Sequence, residues 1–197
     1  MHFYGATLMK RMKRIFDILL SCFFLLVFAI PILFVALMVK ITSQGPALYT
    51  SDRVAINNSI FKMYKFRTMK IETPPVATHL MNDSEQYLTP IGQFLRKSSL
   101  DELPQLFNIL KGEMSFVRPR PALFNQQDLI ELRTKKGIHS LVPGLTGWAQ
   151  INGRDELSIP VKVDFDEYYY KNWSFALDMK ILFFTLFNVI RSDGVNH

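Results

Sequence analysis

From Ile18 to Val39 the chain runs for 22 residues without a charge, and no other stretch of its 197 residues is as apolar. As a helix that run is long enough to cross the ~30 Å hydrocarbon core of a bilayer. Lys10, Arg11, Lys13 and Arg14 precede it, while Lys40, Arg53, Lys62, Lys65, Arg67 and Lys70 follow it with few acids among them. A spanning helix keeps its cations on one side, so two basic flanks fit a segment that enters the membrane, turns and leaves by the same face. Pro31 is the candidate hinge, since proline removes a backbone donor and bends or breaks a helix. An ordinary single-pass anchor is the alternative. A signal peptide fits poorly, because the run is too long and no small-residue cleavage site ends it.

Beyond this segment the pattern changes period. Ala47-Leu48-Tyr49 and Ile60 to Phe66 place β-formers in partial alternation, which predicts strands within 45–70. Residues 71–90 are polar, hold Pro74-Pro75 and read as a surface loop. Ile91, Phe94, Leu95, Leu100, Leu103, Leu106, Phe107 and Leu110 recur at helical spacing up to Lys111-Gly112. A further helix is expected over 123–138, then a glycine-containing loop from Pro143 to Gly153. An aromatic and aliphatic stretch from Tyr168 to Ile190 closes the pattern; its face Ile181, Phe184, Phe187, Asn188 suits a membrane surface or a core. No repeats or low-complexity tracts interrupt it.

Composition narrows the chemistry. A net charge of +6 and a pI near 9.4 favour an anionic partner: nucleic acid, anionic lipid or a phosphorylated substrate. Cys22 is the single cysteine and lies inside the apolar run, so neither an intrachain disulfide nor a thiolate metal site can form. The four histidines, His2, His79, His139 and His197, show no ligand spacing, which argues against a zinc enzyme.

Four stretches carry candidate chemistry. Ser99 and Glu102 have capping-box spacing, and Pro104 is tolerated only in a first turn, so a helix start is expected between Ser98 and Leu103. Asp101 and Glu102 would then stand at its positive end, where carboxylates stay ionised, although acids often decorate helix starts without further role. Prolines 119 and 121 flank Arg120 and pre-aim its guanidinium for phosphate oxygens; a solvated proline-rich loop is the plainer reading. Along a strand Lys65 and Arg67 would share one face, as a cationic pair or as a solvated edge. Gly144, Gly147 and Gly153 would let backbone approach a ligand, with Trp148 as a stacking face and Arg154 as an added charge. That loop matches neither a Walker loop nor a dinucleotide fingerprint. Acids, cations and a glycine loop beside a membrane segment are what chemistry on a diphosphate near a bilayer requires.

The order of these motifs resembles the bacterial sugar transferases, the monotopic phosphoglycosyl transferases in their minimal single-domain form. The resemblance runs from Lys13-Arg14-Ile15-Phe16-Asp17 to about Gly194. It includes Tyr64 to Met69, Ser99-Leu100-Asp101-Glu102-Leu103-Pro104-Gln105-Leu106-Phe107-Asn108, Leu110 to Ser115, Pro119-Arg120-Pro121 and Pro143 to Trp148. Two departures stand out: Ala29-Ile30-Pro31 where the family often has Ser-Pro, and Arg118 where it usually has glycine, which adds a possible phosphate contact.

The resemblance implies an α+β fold: a mainly helical, membrane-associated domain with a re-entrant N-terminal membrane helix and a small β element. Residues 1–42 would form the re-entrant part and 43–197 a catalytic domain on the cytoplasmic face of a bacterial inner membrane. It further implies Asp101 and Glu102 as the active site with Mg²⁺ as cofactor. Donor and acceptor would be a UDP-sugar and polyprenyl phosphate, with membrane lipids around the enzyme and no nucleic acid; a homodimer is left open. Arg120 is the expected phosphate ligand, with Lys65, Arg67 and Arg154 behind it. A membrane-anchored binding module without turnover and a one-step transferase using Asp101 only as metal ligand are the alternatives.

Overall fold

The computed structural model describes residues 2–73, 84–153 and 156–191. Helix α1 (His2–Val27) and helix α2 (Ala29–Thr42) meet at Phe28 and are bent by 64°. No single described helix is long and apolar enough to cross a membrane, but Leu8–Val27 and Ala29–Thr42 together are. The break falls three residues before Pro31 rather than at it. Proline's ring crowds the carbonyl of residue i−4, here Val27, and offers that carbonyl no donor. Phe28 therefore leaves helical geometry, with φ −95° and ψ 10°, while the Ile32 amide still bonds the Phe28 carbonyl at 2.8 Å.

The polarity of α1 is inverted relative to a helix of a water-soluble protein. Leu8, Met12, Ile15, Leu19, Phe23 and Leu26 recur every three or four residues and are exposed, whereas Lys13, Asp17 and Ser21 are buried. Lys13 Nζ lies 2.7 Å from Asp178 Oδ2, and Asp17 Oδ1 accepts from the Phe116 amide at 3.2 Å. Arg14 Nη2 donates to the Leu110 carbonyl at 2.7 Å, satisfying a helix end. The charges that begin the basic flank thus fasten α1 to the rest of the chain, and its apolar stripe faces outward. Helix α2 continues that surface with Ile30, Leu33, Phe34 and Leu37 and buries Val35 and Val39.

Strands β1 (Leu48–Val54) and β2 (Ile60–Phe66) form an antiparallel hairpin, in register from Leu48 opposite Phe66 to Val54 opposite Ile60. Asn57 and Asn58 take positive φ at the turn, a conformation asparagine tolerates better than most residues. Phe61 and Met63 of β2 enter the main core with Leu106, Ile109, Met114, Phe116, Val117, Tyr169 and Ile181.

The periodicity over 91–111 does not form one helix. It breaks into α3 (Gly92–Lys97), a 3-10 turn (Leu100–Glu102) and α4 (Gln105–Lys111). Ser99 lies in the left-handed region at φ 56°, and Pro104 cannot donate, so the spacing of apolar side chains survives while the backbone does not. Strand β3 (Ser115–Val117) pairs in parallel with β4 (Gly144–Thr146), and α5 (Gln127–Lys135) lies between them in sequence. Pro143 to Gly153 is therefore not only a loop: it holds β4 and the short helix α6 (Trp148–Ile151). A Cβ on Gly144 would stand 2.3 Å from the Arg118 amide nitrogen and one on Gly147 2.4 Å from the Arg118 carbonyl oxygen. These glycines admit a neighbouring strand, not a ligand. The closing stretch likewise divides, at Trp173-Ser174, into α7 (Ile159–Asn172) and α8 (Phe175–Arg191). On α8, Asp178 and Ile181 are buried while Phe183, Leu186 and Phe187 are exposed, and Phe175 meets Phe16 of α1 edge-on at 5.2 Å. Among the described residues the fold is α+β, mainly helical, with two small two-stranded sheets.

Candidate active site

Asn108, fully buried on α4, ties that helix to β2. Its Nδ2 donates to the Lys62 carbonyl at 2.8 Å and its Oδ1 accepts from the Tyr64 amide at 3.0 Å. This brings the 3-10 turn against the end of β2, where Lys65 meets both acids: Nζ lies 2.9 Å from Glu102 Oε1 and 3.6 Å from Asp101 Oδ2. Arg120 closes the other side. Its Nη2 bonds Glu102 Oε1, and its Nη1 donates to Glu102 Oε2 at 3.2 Å and to the Leu145 carbonyl at 2.8 Å.

Ser99 makes no side-chain cap bond, so the expected capping box is not formed. Glu102 reaches forward to Arg120 and Lys65 instead of back to the turn, since two cations compensate its charge better than one amide. The 3-10 turn has only three residues, and the field at the acid pair comes from side-chain cations rather than from a helix dipole.

The two carboxylates differ electrostatically. Burial alone pushes Glu102 up, but Arg120 and Lys65 outweigh it and hold the group well below the usual carboxylate range. Asp101 is raised, chiefly by burial and further by Glu102, with Lys65, Arg120 and Arg96 pulling against that shift. Asp101 is 6% exposed. Glu102 is thus the fixed, fully paired charge, and Asp101 the more loosely held carboxylate whose charge is less compensated.

Lys65, Asp101, Glu102 and Arg120 are brought together. Arg67 is not: β2 ends at Phe66, and Arg67 Nε donates to the Pro46 carbonyl at 3.0 Å instead of sharing the face of Lys65. Arg154 lies outside the described residues. Arg118 rests over the rings of Trp173 (5.0 Å) and Tyr169 (5.8 Å). Trp148 is not an open stacking face, since Tyr168 stacks on it at 5.5 Å and Lys180 lies over its ring. Sequence reasoning missed Arg96, whose Nε donates to Thr68 Oγ1 at 3.1 Å and whose charge acts on Asp101. Its position at the end of α3, five residues before Asp101, was the available signal. It also missed Leu145 as the acceptor that orients Arg120.

Residues 8–192 match the model of the bacterial sugar transferase family. The chain belongs to that family. Like its relatives named as phosphotransferases, this bacterial sugar transferase is a transferase enzyme. It is 42% identical over 186 residues to the uncharacterized sugar transferase EpsL of Bacillus subtilis, covering 93% of this chain and 90% of EpsL. It is 39% identical to the undecaprenyl-phosphate galactose phosphotransferase of Salmonella typhimurium, over 93% of this chain and 41% of that protein. Identity to the UDP-glucose:undecaprenyl-phosphate glucose-1-phosphate transferase of Escherichia coli is 40%, over 90% of this chain and 40% of that protein. The chain therefore spans nearly all of one relative and about two fifths of the other two.

Proposed function

We propose that this sugar transferase moves a phosphosugar from a UDP-sugar to polyprenyl phosphate in two steps through Asp101. The observation that carries the reading is the asymmetry of the acid pair: Glu102 is clamped by Arg120 and Lys65, while Asp101 is buried beside them with its charge less compensated. In the first step an Asp101 carboxylate oxygen attacks the phosphorus that bears the sugar. The bond from that phosphorus to the bridging oxygen breaks, UMP leaves with the electron pair, and an acyl phosphate remains. In the second step a phosphate oxygen of polyprenyl phosphate attacks the same phosphorus. Asp101 leaves as a carboxylate, and polyprenyl diphosphate sugar is the product. Lys65, Arg120 and Arg96 carry the charge compensation on which phosphoryl transfer chiefly depends. Relatives named for galactose and for glucose leave the sugar itself open.

Mg²⁺ fits the donor set. Among the described residues no group of three or more candidate ligands converges, but Mg²⁺ is commonly held by one or two carboxylates plus substrate phosphates and water. Asp101 would be the first protein donor. Glu102 adds whatever its bonds to Arg120 and Lys65 leave open. When bound, the ion neutralises the diphosphate and stabilises the departing UMP.

The bent helix pair is read as re-entrant, with both ends and the catalytic part on the cytoplasmic face. At 1.5 Å per residue the uncharged arms from Ile18 to Phe28 and from Phe28 to Val39 each reach about 15 Å, half of a ~30 Å hydrocarbon core. The outward apolar stripe of α1 supports the same placement. Such a seat holds the acid pair where a long-chain lipid phosphate arrives. The test is UMP release across a panel of UDP-sugars, with and without polyprenyl phosphate, for wild type and Asp101→Asn. Lipid-dependent release with one sugar, lost in Asp101→Asn, is expected; near wild-type release by the variant would place the site elsewhere.

A further inference from the structure

Behind Arg120, on the side away from Glu102, lies a second ion pair that the reaction does not touch. Arg133 of α5 and Asp166 of α7 are 9% and 1% exposed. Arg133 Nε and Nη2 both donate to Asp166 Oδ2, at 2.9 and 2.6 Å, and its remaining arm, Nη1, donates to the main-chain carbonyl of Arg120 at 2.8 Å. One planar guanidinium thus joins two helices to the backbone of the phosphate ligand.

This pair is poorly explained as a source of stability. Burying two charges costs as much as their attraction returns unless every polar atom is satisfied, and Asp166 Oδ1 is buried without a hydrogen-bond partner among the described residues. A pair of well-packed apolar residues would serve cohesion at least as well. What apolar residues cannot supply is a donor aimed at the Arg120 carbonyl. That carbonyl lies between Pro119 and Pro121, which have no amide to donate. The flanking carbonyls are held by other groups, Pro119's by the Gly144 amide at 2.9 Å and Pro121's by Arg53 Nη1 at 3.4 Å, and Arg133 holds the one between them. Fixing the carbonyl fixes the direction of the Arg120 Cα–Cβ bond. The far end of the side chain is then oriented by the Leu145 carbonyl and Glu102.

We propose that Asp166 and Arg133 are positioning residues for Arg120: Asp166 orients the Arg133 fork, and Arg133 holds the Arg120 main chain so that its guanidinium meets the transferring phosphate. The inference rests on the reading of Arg120 as a phosphate ligand. Lysine at 133 keeps the charge but cannot hold Asp166 Oδ2 with two donors and the Arg120 carbonyl with a third from one planar fork.

The experiment compares full-length wild type, Arg133→Lys, Asp166→Asn, Arg120→Lys and the double variant Arg133→Lys/Arg120→Lys in lipid nanodiscs. The probes are UDP-glucose and UDP-galactose with polyprenyl phosphate, and rates are normalised to folded protein by circular dichroism and gel filtration. Arg133→Lys should lower kcat by ~10- to 100-fold with KM for the UDP-sugar little changed, as a misplacement of about 1 Å costs. Asp166→Asn should fall in the same sense and carries the test if Arg133→Lys does not fold. In the Arg120→Lys background, Arg133→Lys should add almost nothing, because the group it positions is gone. A purely structural role would give multiplicative losses in the double variant, and that result would overturn the proposal. So would folded single variants with at least half the wild-type rate beside a crippled Arg120→Lys. An Arg120→Lys variant with wild-type kinetics would refute the underlying reading and the positioning role with it.

Discussion

Lys13→Met removes the cation that anchors the membrane helix while keeping a side chain of similar length. Lys13 Nζ lies 2.7 Å from Asp178 Oδ2, and the two side chains are 4% and 1% exposed. At an effective dielectric constant of about 20, a pair at that separation attracts by on the order of 6 kcal/mol, from which the cost of desolvating the ammonium is subtracted. Breaking a buried pair from one side leaves an uncompensated charge and typically costs about 3–5 kcal/mol. Asp178 would keep its bonds from the Tyr169 hydroxyl (2.7 Å) and Trp173 Nε1 (3.2 Å), so the lower half of that range is expected. Against a domain stability of about 5–15 kcal/mol this is a large fraction. Denaturant unfolding in detergent micelles, followed by tryptophan fluorescence, reads the loss, and Trp173 reports the site directly. Adding Asp178→Asn should restore part of it, since it removes one uncompensated charge. The single amide oxygen replaces only one of the two acceptors, Oδ1 for Tyr169 and Oδ2 for Trp173, and buried Asp17, 3.9 Å from Lys13 Nζ, keeps its charge. Lys13→Met within ~0.5 kcal/mol of wild type would refute the idea that this pair seats α1.

Further outcomes are expected elsewhere in the molecule. Asp101 reacts as the ionised form and its carboxyl is raised by burial, so the rate should fall with decreasing pH through a value above that of an exposed aspartate. Lys65 opposes that shift; Lys65→Met should move the acidic limb of the pH–rate profile to higher pH, and an unmoved limb would contradict the assignment. Glu102→Gln should be severely impaired in UMP release, because Arg120 and Lys65 lose the charge that holds them; near wild-type turnover would count against that role. In a Cys22→Ser background, single cysteines at Lys10 and Gln44 should both resist a membrane-impermeant label in intact cells and both react after lysis. Labelling of only one in intact cells would mean that the segment spans.

The acid pair, Arg120 and Lys65, which the structure brings together, were singled out in the sequence by local chemistry (adjacent acids, a proline-flanked arginine, a strand face), while their joint role was implied by the family resemblance. Legibility failed where the backbone departs from its periodic pattern. The helical spacing over 91–111 runs through Ser99, and apolar periodicity carries no sign of the positive φ that divides the helix there. Arg67 was expected beside Lys65 by alternation, but although its amide still bonds the Ala47 carbonyl, its guanidinium turns to the Pro46 carbonyl. Gly144 and Gly147 gave the right signal, close approach, but sequence does not say to what; the neighbour is the Arg118 main chain. The inverted face of α1 was hidden because Lys13 was read with the basic flank and the uncharged run was taken to begin only at Ile18. Lys13 and Asp17 show their purpose only once Asp178 and Phe116, more than 90 residues away, are placed beside them. Arg133 and Asp166 carried no motif at all.

The central claim is that Asp101 carries the phosphosugar between two half-reactions. Intact-protein mass spectrometry tests it most directly, with enzyme given the UDP-sugar it turns over and Mg²⁺ but no lipid. The protein should gain the mass of one sugar phosphate and release at most one equivalent of UMP, and adding polyprenyl phosphate should discharge the adduct into lipid product. Asp101→Asn should gain no mass. Turnover that requires both substrates together, with neither an adduct nor a burst of UMP before the lipid is added, would contradict the covalent step.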